Sequence, residues 1–432
     1  MNYAECEEYL EEISKYGSVL GLDNIRTLLK KLGDPQNSLR FVQVAGTNGK
    51  GSVCAFTESV LRRSGYAVGL YTSPAVFSHL ETIKLGKSIT KADYADVITR
   101  VAEKADAMEH HPTVFEIETA AAILYFFEKK ADVVILECGL GGRDDATNVV
   151  DTTILSVITS ISKDHTHILG PDEGSIAKVK AGIIKNGATV VSAMQDEEAL
   201  EVIKKAAEKA GSSLVVCDED KDTKILSLKP GRTVFNARAG GRTYENLVIG
   251  LNGLCQIGNA LVALNALLKL KELGFDLITE KTVRAGFSSA RHPGRFEVIA
   301  DSPVTVIDGA HNPDAALSLR ESVELYFKNK RLIFIMGVFA DKDYDSILRI
   351  MAPLAEHIIT VHTPGNDRAL PSYELAKAAL LYNPNVTSAA SLQEAVELAR
   401  LLADKKDVIL IFGSLSFLKN IKALVKKDER IR

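Results

Sequence analysis

Apolar runs of strand length alternate with helix-length stretches along most of the chain. FVQVA (41–45), AVGLY (67–71), DVVILE (132–137), TTILSVIT (152–159) and ATVVS (188–192) are bounded by turn residues, and helical spacing fills gaps such as SVCAFTESVLRRS (52–64) and Thr119 to Lys130. Near-continuous apolarity marks a strand buried on both faces, so these runs predict a mostly parallel sheet covered by helices on both sides. From about 212 to 250 the texture changes. KILSLK, TVFNA and NLVIG, split by turn residues, predict a small antiparallel patch, and a helical stretch over 256–273 follows. The segment RHPGR (291–295) carries Pro and Gly and forms a natural hinge. Beyond it the alternation restarts with VTVID (304–308), a helix beginning near Pro313, then RLIFIM (331–336), HIITV (357–361) and DVILIF (407–412).

A chain of 432 residues exceeds one ordinary core, which agrees with two α/β domains divided near 294–297. The net charge of −4 gives no electrostatic case for nucleic acid or an anionic membrane. No apolar run reaches the roughly 20 residues that span a bilayer. The N-terminus, MNYAECEEYLEEISK, is acidic and lacks the layout of a signal peptide. Cysteines at 6, 54, 138, 217 and 255 form no CxxC pair, so reduced thiols in a cytoplasmic protein are expected, with no disulfide scaffold and no zinc site. The expected state is a monomer.

Chemistry concentrates at predicted strand ends, where ligands of such sheets bind. The first apolar run ends in Gly46-Thr47-Asn48-Gly49-Lys50-Gly51-Ser52, and a helix follows. This is a phosphate cradle in kind: glycines permit close approach, the helix N-terminus favours an anion, Lys50 carries charge for β- and γ-phosphates, and Ser52 offers a hydroxyl to Mg²⁺. Its spacing is not that of the usual P-loop, because only two residues separate the glycines and Gly51 stands between Lys50 and Ser52. Glu137 closes an apolar strand ahead of CGLGG, where a carboxylate calls for a partner or a cation. In KDHTHILG, His165 and His167 flank Thr166; unaided, such a pair is more often surface or core than ligand. KVKAGIIK (178–185), with Lys180, reads alone as a solvated helix face. Asp308 ends a strand, the position of a ribose-hydroxyl partner, while His311 and Asn312 also suit a turn and cap.

Taken in order, GTNGKGS (46–52), YTSP (71–74), PTVFEIETAAA (112–122), ECGLGGRDDATN (137–148), DHTHILG (164–170), KAGIIK (180–185), QIGNA (256–260), PGRFE (293–297), DGAHNP (308–313), FADKD (339–343) and GSLSFL (413–418) span nearly the whole chain. The sequence resembles the folylpolyglutamate synthase and dihydrofolate synthase family of the Mur ligase superfamily. The loop GTNGKGS is the form typical of these ligases.

The resemblance implies a P-loop-containing ATP-binding domain over 1–295, with the antiparallel patch, and a smaller Rossmann-like α/β domain over 296–432. It implies an ATP-dependent ligase that adds L-glutamate to folate, to dihydropteroate or to both, through an acyl phosphate. Gly46 to Ser52 match the ATP loop. Gln256, Asn259, Arg295, Asp308 and His311 match positions around ATP, with Asp308 toward the ribose. Ser52, Ser73, Glu137, His165 and Lys180 match a site for two Mg²⁺ ions, with Lys180 the lysine carbamylated in many relatives; Lys50, His165 and Lys180 form the expected catalytic set. The two domains would each hold part of the ATP site. Thr113, Phe115 and Glu116 match where relatives hold dihydropteroate; alternatively Phe115 is core and Glu116 caps a helix starting near Ile117.

Several positions depart from the family pattern: Asn24 and Thr82 where Arg is common, Ala75 and Cys255 where His is, His292 in place of Trp, and Val179 in place of Glu. Those at 24, 75 and 82 bear on the acceptor more than on the reaction. Two rivals remain: a Mur-type ligase with another carboxylate acceptor, against which the loop begins only ~45 residues in with no preceding UDP-binding domain, and a P-loop ATPase without ligation.

Overall fold

The computed structural model describes residues 1–17, 19–365 and 367–429. Contacts divide the chain into two compact units: Met1–Lys224 with Asn236–Leu247 and Gly258–Ala290, and Arg291–Arg432 with Ile225–Phe235 and Val248–Ile257.

The first unit holds an eight-stranded sheet of β1 (Phe41–Ala45), β2 (Val68–Tyr71), β3 (Ile83–Leu85), β4 (Lys87–Ser88), β5 (Val133–Glu137), β6 (Thr153–Ile158), β7 (Thr189–Ala193) and β8 (Leu214–Cys217), in the order β4-β3-β2-β5-β1-β6-β7-β8. Strands β2, β5, β1, β6, β7 and β8 pair in parallel; β3 runs against both β2 and β4. The apolar runs occupy the middle of this sheet, and every residue of β1, β2 and β5 is buried. Gln43 is a polar exception inside β1. Its side-chain amide donates to Thr147 O at 3.1 Å and Asn148 Oδ1 at 3.3 Å and accepts from Thr153 Oγ1 at 2.7 Å. That network stitches the glycine-rich segment after β5 to the central strand, so the two strand ends that carry chemistry are held in register.

Strands β9 (Thr223–Lys229), β10 (Arg232–Ala239) and β11 (Arg242–Ile249) form a three-stranded sheet with β10 in the middle. Two-residue connections join them, as only antiparallel neighbours allow. Gly240 and Gly241 between β10 and β11 take φ of 56° and 74°, the pair of positive values that a tight hairpin turn requires. The antiparallel patch read from the sequence is this sheet.

The second unit contains β12 (Glu297–Asp301), β13 (Val304–Ile307), β14 (Leu332–Met336), β15 (His357–Thr360), β16 (Val386–Ser388) and β17 (Val408–Phe412), in the order β12-β13-β17-β14-β15-β16. All neighbours are parallel except β12 and β13. Asn312 caps the helix Pro313–Tyr326 by accepting from Ala315 N at 2.8 Å, and Pro313 sits at its first position, where a missing N–H costs no helical bond. Among the described residues no helix is long and apolar enough to cross a membrane.

Candidate active site

The loop after β1 is fixed by the loop after β6. Thr47 N donates to Ser160 O at 2.8 Å, Thr47 Oγ1 donates to Ser162 O at 3.0 Å, and Thr159 Oγ1 donates to Asn48 O at 2.6 Å. Gly46, at φ 153°, packs so tightly that a Cβ would collide with the Thr159 hydroxyl. Gly49 takes φ 87° as the residue before the helix Lys50–Arg63, and a Cβ there would collide with the amide oxygen of Asn259. Asn259 lies in the first turns of the helix Cys255–Glu272, so one of the expected nucleotide residues does meet the loop. Gly51 and Ser52 are buried in the first turn of the helix Lys50–Arg63, whose N–H groups have no intrahelical acceptor.

Two lysines converge on one carbonyl. Lys50 Nζ donates to Gly46 O and Thr47 O, both at 3.1 Å, and Lys180 Nζ donates to Gly46 O at 2.7 Å. Lys180 ends the helix Glu173–Lys180, whose start is set by the Asp172 cap on Ser175 N at 2.7 Å. The chain then passes over Gly142, where a Cβ would stand 2.9 Å from the carbonyl oxygens of Val179 and Lys180. The solvated face expected for KVKAGIIK is therefore wrong at its central lysine, which is 3% exposed. Burial, and then the neighbouring Lys50 ammonium, lowers the Lys180 amine to about 7, against the pull of Cys138, Asp164 and Asp145. Asp164 and Asp145 were not singled out from the sequence as part of this site, and only the folded chain brings them near Lys180. Asp145 is buried, accepting from Leu140 N at 2.7 Å and Thr147 N at 3.0 Å, and burial raises its carboxyl.

The remaining expected ligands lie at or beyond strand ends of the same sheet. Glu137 is the last residue of β5 and is buried. The Ser73 hydroxyl, just beyond β2, is buried without a hydrogen-bond partner. His165 adopts the left-handed region at φ 50°, beyond β6, with Nε2 3.9 Å from Asp164 Oδ1. No group of three or more His, Cys, Asp or Glu among the described residues is arranged to hold a metal.

Helix Val114–Glu128 begins three residues earlier than the sequence reading placed it. Thr113 is its cap: Glu116 N donates to Thr113 Oγ1 at 3.3 Å, and Glu116 Oε2 accepts from Thr113 N at 2.8 Å and Thr113 Oγ1 at 2.9 Å. The Thr-x-x-Glu spacing is the signal for this capping box. Glu116 Oε2 is thus taken up in bracing the helix start, while the Phe115 ring belongs to the same first turn. That ring is half-buried, stacks on Tyr71 at 6.1 Å between centroids and lies against Gly139.

Gln256, Arg295, Asp308 and His311 belong to the second unit. Both Asp308 oxygens accept backbone N–H groups, Oδ2 from Phe296 and Oδ1 from Ala310, each at 2.8 Å, so a ribose contact is left the remaining lone pairs. Burial pushes its carboxyl up while Arg295 pulls it down. His311 Nδ1 donates to Gly309 O at 2.7 Å.

Two family profiles match: the Mur ligase middle domain over residues 44–267 and the Mur ligase glutamate ligase domain over 294–415. The dihydrofolate synthase/folylpolyglutamate synthase of Bacillus subtilis is 34% identical over 98% of this chain and 99% of its own. The chain belongs to the folylpolyglutamate synthase/dihydrofolate synthase family of Mur ligases. Solved structures of family members match the chain over nearly its full length. Escherichia coli FolC in complex with DHPP and ADP matches with a TM-score of 0.88 at 30% identity, covering 99% of each chain. Mycobacterium tuberculosis folylpolyglutamate synthase complexed with ADP matches at 0.87 and 30% identity, covering 100% of this chain and 98% of its own.

Proposed function

We infer that this chain is an ATP-dependent ligase that joins L-glutamate to the carboxylate of a folate-type acceptor, either tetrahydrofolate, dihydropteroate or both. The observation that carries the reading is the phosphate loop onto which two lysine amines converge, one of them buried and lowered to about 7. Support comes from relatives named for both activities and from family structures that hold ADP.

The reaction joins two anions before it joins an amine. An acceptor carboxylate oxygen attacks the γ-phosphorus, the bond to the bridging oxygen of ADP breaks, and an acyl phosphate forms. The glutamate amine attacks the acyl carbon, and phosphate leaves. Lys50 and the helix N-terminus behind it place positive potential where the triphosphate would lie. The residues present suit magnesium held in part by the nucleotide: one buried carboxylate at Glu137, the Ser52 hydroxyl, the partnerless Ser73 hydroxyl and the His165 imidazole, with phosphate oxygens and water as the other donors. Bound there, two Mg²⁺ ions would supply charge that offsets the repulsion between triphosphate and carboxylate. Lys180 in its neutral form can attack CO₂ and release one proton, giving a carbamate in place of a cation. The protein would act as a monomer.

Phe115 supplies a flat apolar surface for the ring of the acceptor. Phe115→Ala is expected to raise the acceptor KM on the order of 5- to 150-fold and to leave the KM for ATP almost unchanged. Calorimetry tests the acceptor class itself: the protein should bind tetrahydrofolate or dihydropteroate. Heat from ATP with none from either pterin would remove folates as the acceptor.

A further inference from the structure

We propose that His79 is a positioning residue that sets acceptor affinity by tethering the loop 73–81 to the buried carboxylate of Glu118. The proposal rests on the acceptor placement above and extends it to a residue pair outside the ATP loop.

The loop is a closed unit. Thr72 N donates to Thr82 O at 3.0 Å and shuts its base. Inside it, Glu81 Oε1 accepts from Val76 N at 2.6 Å and Phe77 N at 2.7 Å, Thr82 Oγ1 donates to His79 O at 2.7 Å, and Leu80 N donates to Ser78 Oγ at 3.3 Å. A compact loop with its own internal bonds moves as a piece, so its placement is decided by what fastens it to the body.

Glu118 provides such a fastening point. It lies three residues after Phe115 on the same helix, hence on the same face. Its side chain is only 12% exposed, in the buried run 116–126 of a largely apolar helix. A carboxylate so placed needs donors. Tyr94 OH donates to Oε1 at 3.2 Å, and Nδ1 of His79 stands 3.3 Å from the same oxygen. An ionised carboxylate only accepts, so Nδ1 carries the hydrogen. His79 is itself exposed and belongs to the loop, so the contact ties a surface loop to a buried charge beside Phe115 and Tyr71. The same loop begins at Ser73, whose buried hydroxyl has no partner. An exposed hydrogen bond contributes little, but losing this one would leave a buried carboxylate with one donor fewer, Tyr94 OH remaining.

The bond runs through Nδ1, and this makes a discriminating variant available. The side-chain nitrogen of asparagine can take the place of Nδ1, whereas alanine offers nothing. His79→Ala is expected to raise the acceptor KM about tenfold, with kcat and the KM for ATP within about twofold of the parent. His79→Asn should recover most of the loss. A second readout needs no turnover: limited chymotrypsin digestion should cut after Phe77 several-fold faster in His79→Ala than in the parent or in His79→Asn. An unchanged acceptor KM in His79→Ala, a His79→Asn protein no better than His79→Ala, or equal cutting rates in all three would overturn the tether. A parent enzyme that turns over no folate, yet shows the digestion difference, would overturn the acceptor reading and leave the tether standing.

Discussion

Lys50→Ala is expected to lower the rate of ligation on the order of 10²- to 10³-fold while the protein stays folded. The lysine opens the helix behind the phosphate loop, and its amine is held 3.1 Å from Gly46 O and Thr47 O, at the place where a triphosphate would need positive charge. The loop itself is braced by Thr47, Thr159 and Ser160, and Lys180 also donates to Gly46 O. Removing Lys50 therefore takes away charge without removing the scaffold. Circular dichroism and a thermal melt would check the fold, and steady-state ADP release would measure the loss. Near-parental turnover in a folded variant would contradict the role given to the loop.

Lys180→Ala should be comparably damaging, on the order of a hundredfold or more, but with a different signature. An amine lowered to about 7 is substantially neutral near neutral pH, and only the neutral form can take up CO₂. Below about pH 7 the proton returns, and carbamate formation should fall with it. The parent should lose activity in CO₂-depleted buffer, most steeply on the acid side. In Lys180→Ala a short carboxylate such as acetate has room to stand in for the carbamate and should restore part of the rate. Electron density at the tip of Lys180 would show the adduct directly. A bare ammonium there, together with unimpaired Lys180→Ala, would refute the assignment.

The strands that carry this site were legible because they are buried on both faces. FVQVA, DVVILE and TTILSVIT are runs of apolar residues ended by turn chemistry, and they lie side by side as β5, β1 and β6. Short or half-exposed strands gave no such signal: β3, β4, β8, β12 and β16 were missed. The burial of Lys180 was hidden for another reason. Lysines at 178, 180 and 185 look locally like a wet helix face, and only packing over Gly142 puts the middle one inside. Asp145 and Asp164 join the site from separate loops, and no spacing rule connects them to Lys180. At Phe115 and Glu116 the Thr-x-x-Glu spacing marks the helix start three residues ahead of the apolar periodicity. Glu116 braces that start through its capping box with Thr113.

The most direct test of the ligase account is ADP release by the purified protein with ATP and Mg²⁺, supplied with acceptor and L-glutamate singly and together. The account predicts slow release with either substrate alone and fast release only when tetrahydrofolate or dihydropteroate is present with glutamate, with one glutamyl unit gained per ADP. Release at the same rate whether or not glutamate and a pterin are present would mark an ATPase and contradict it.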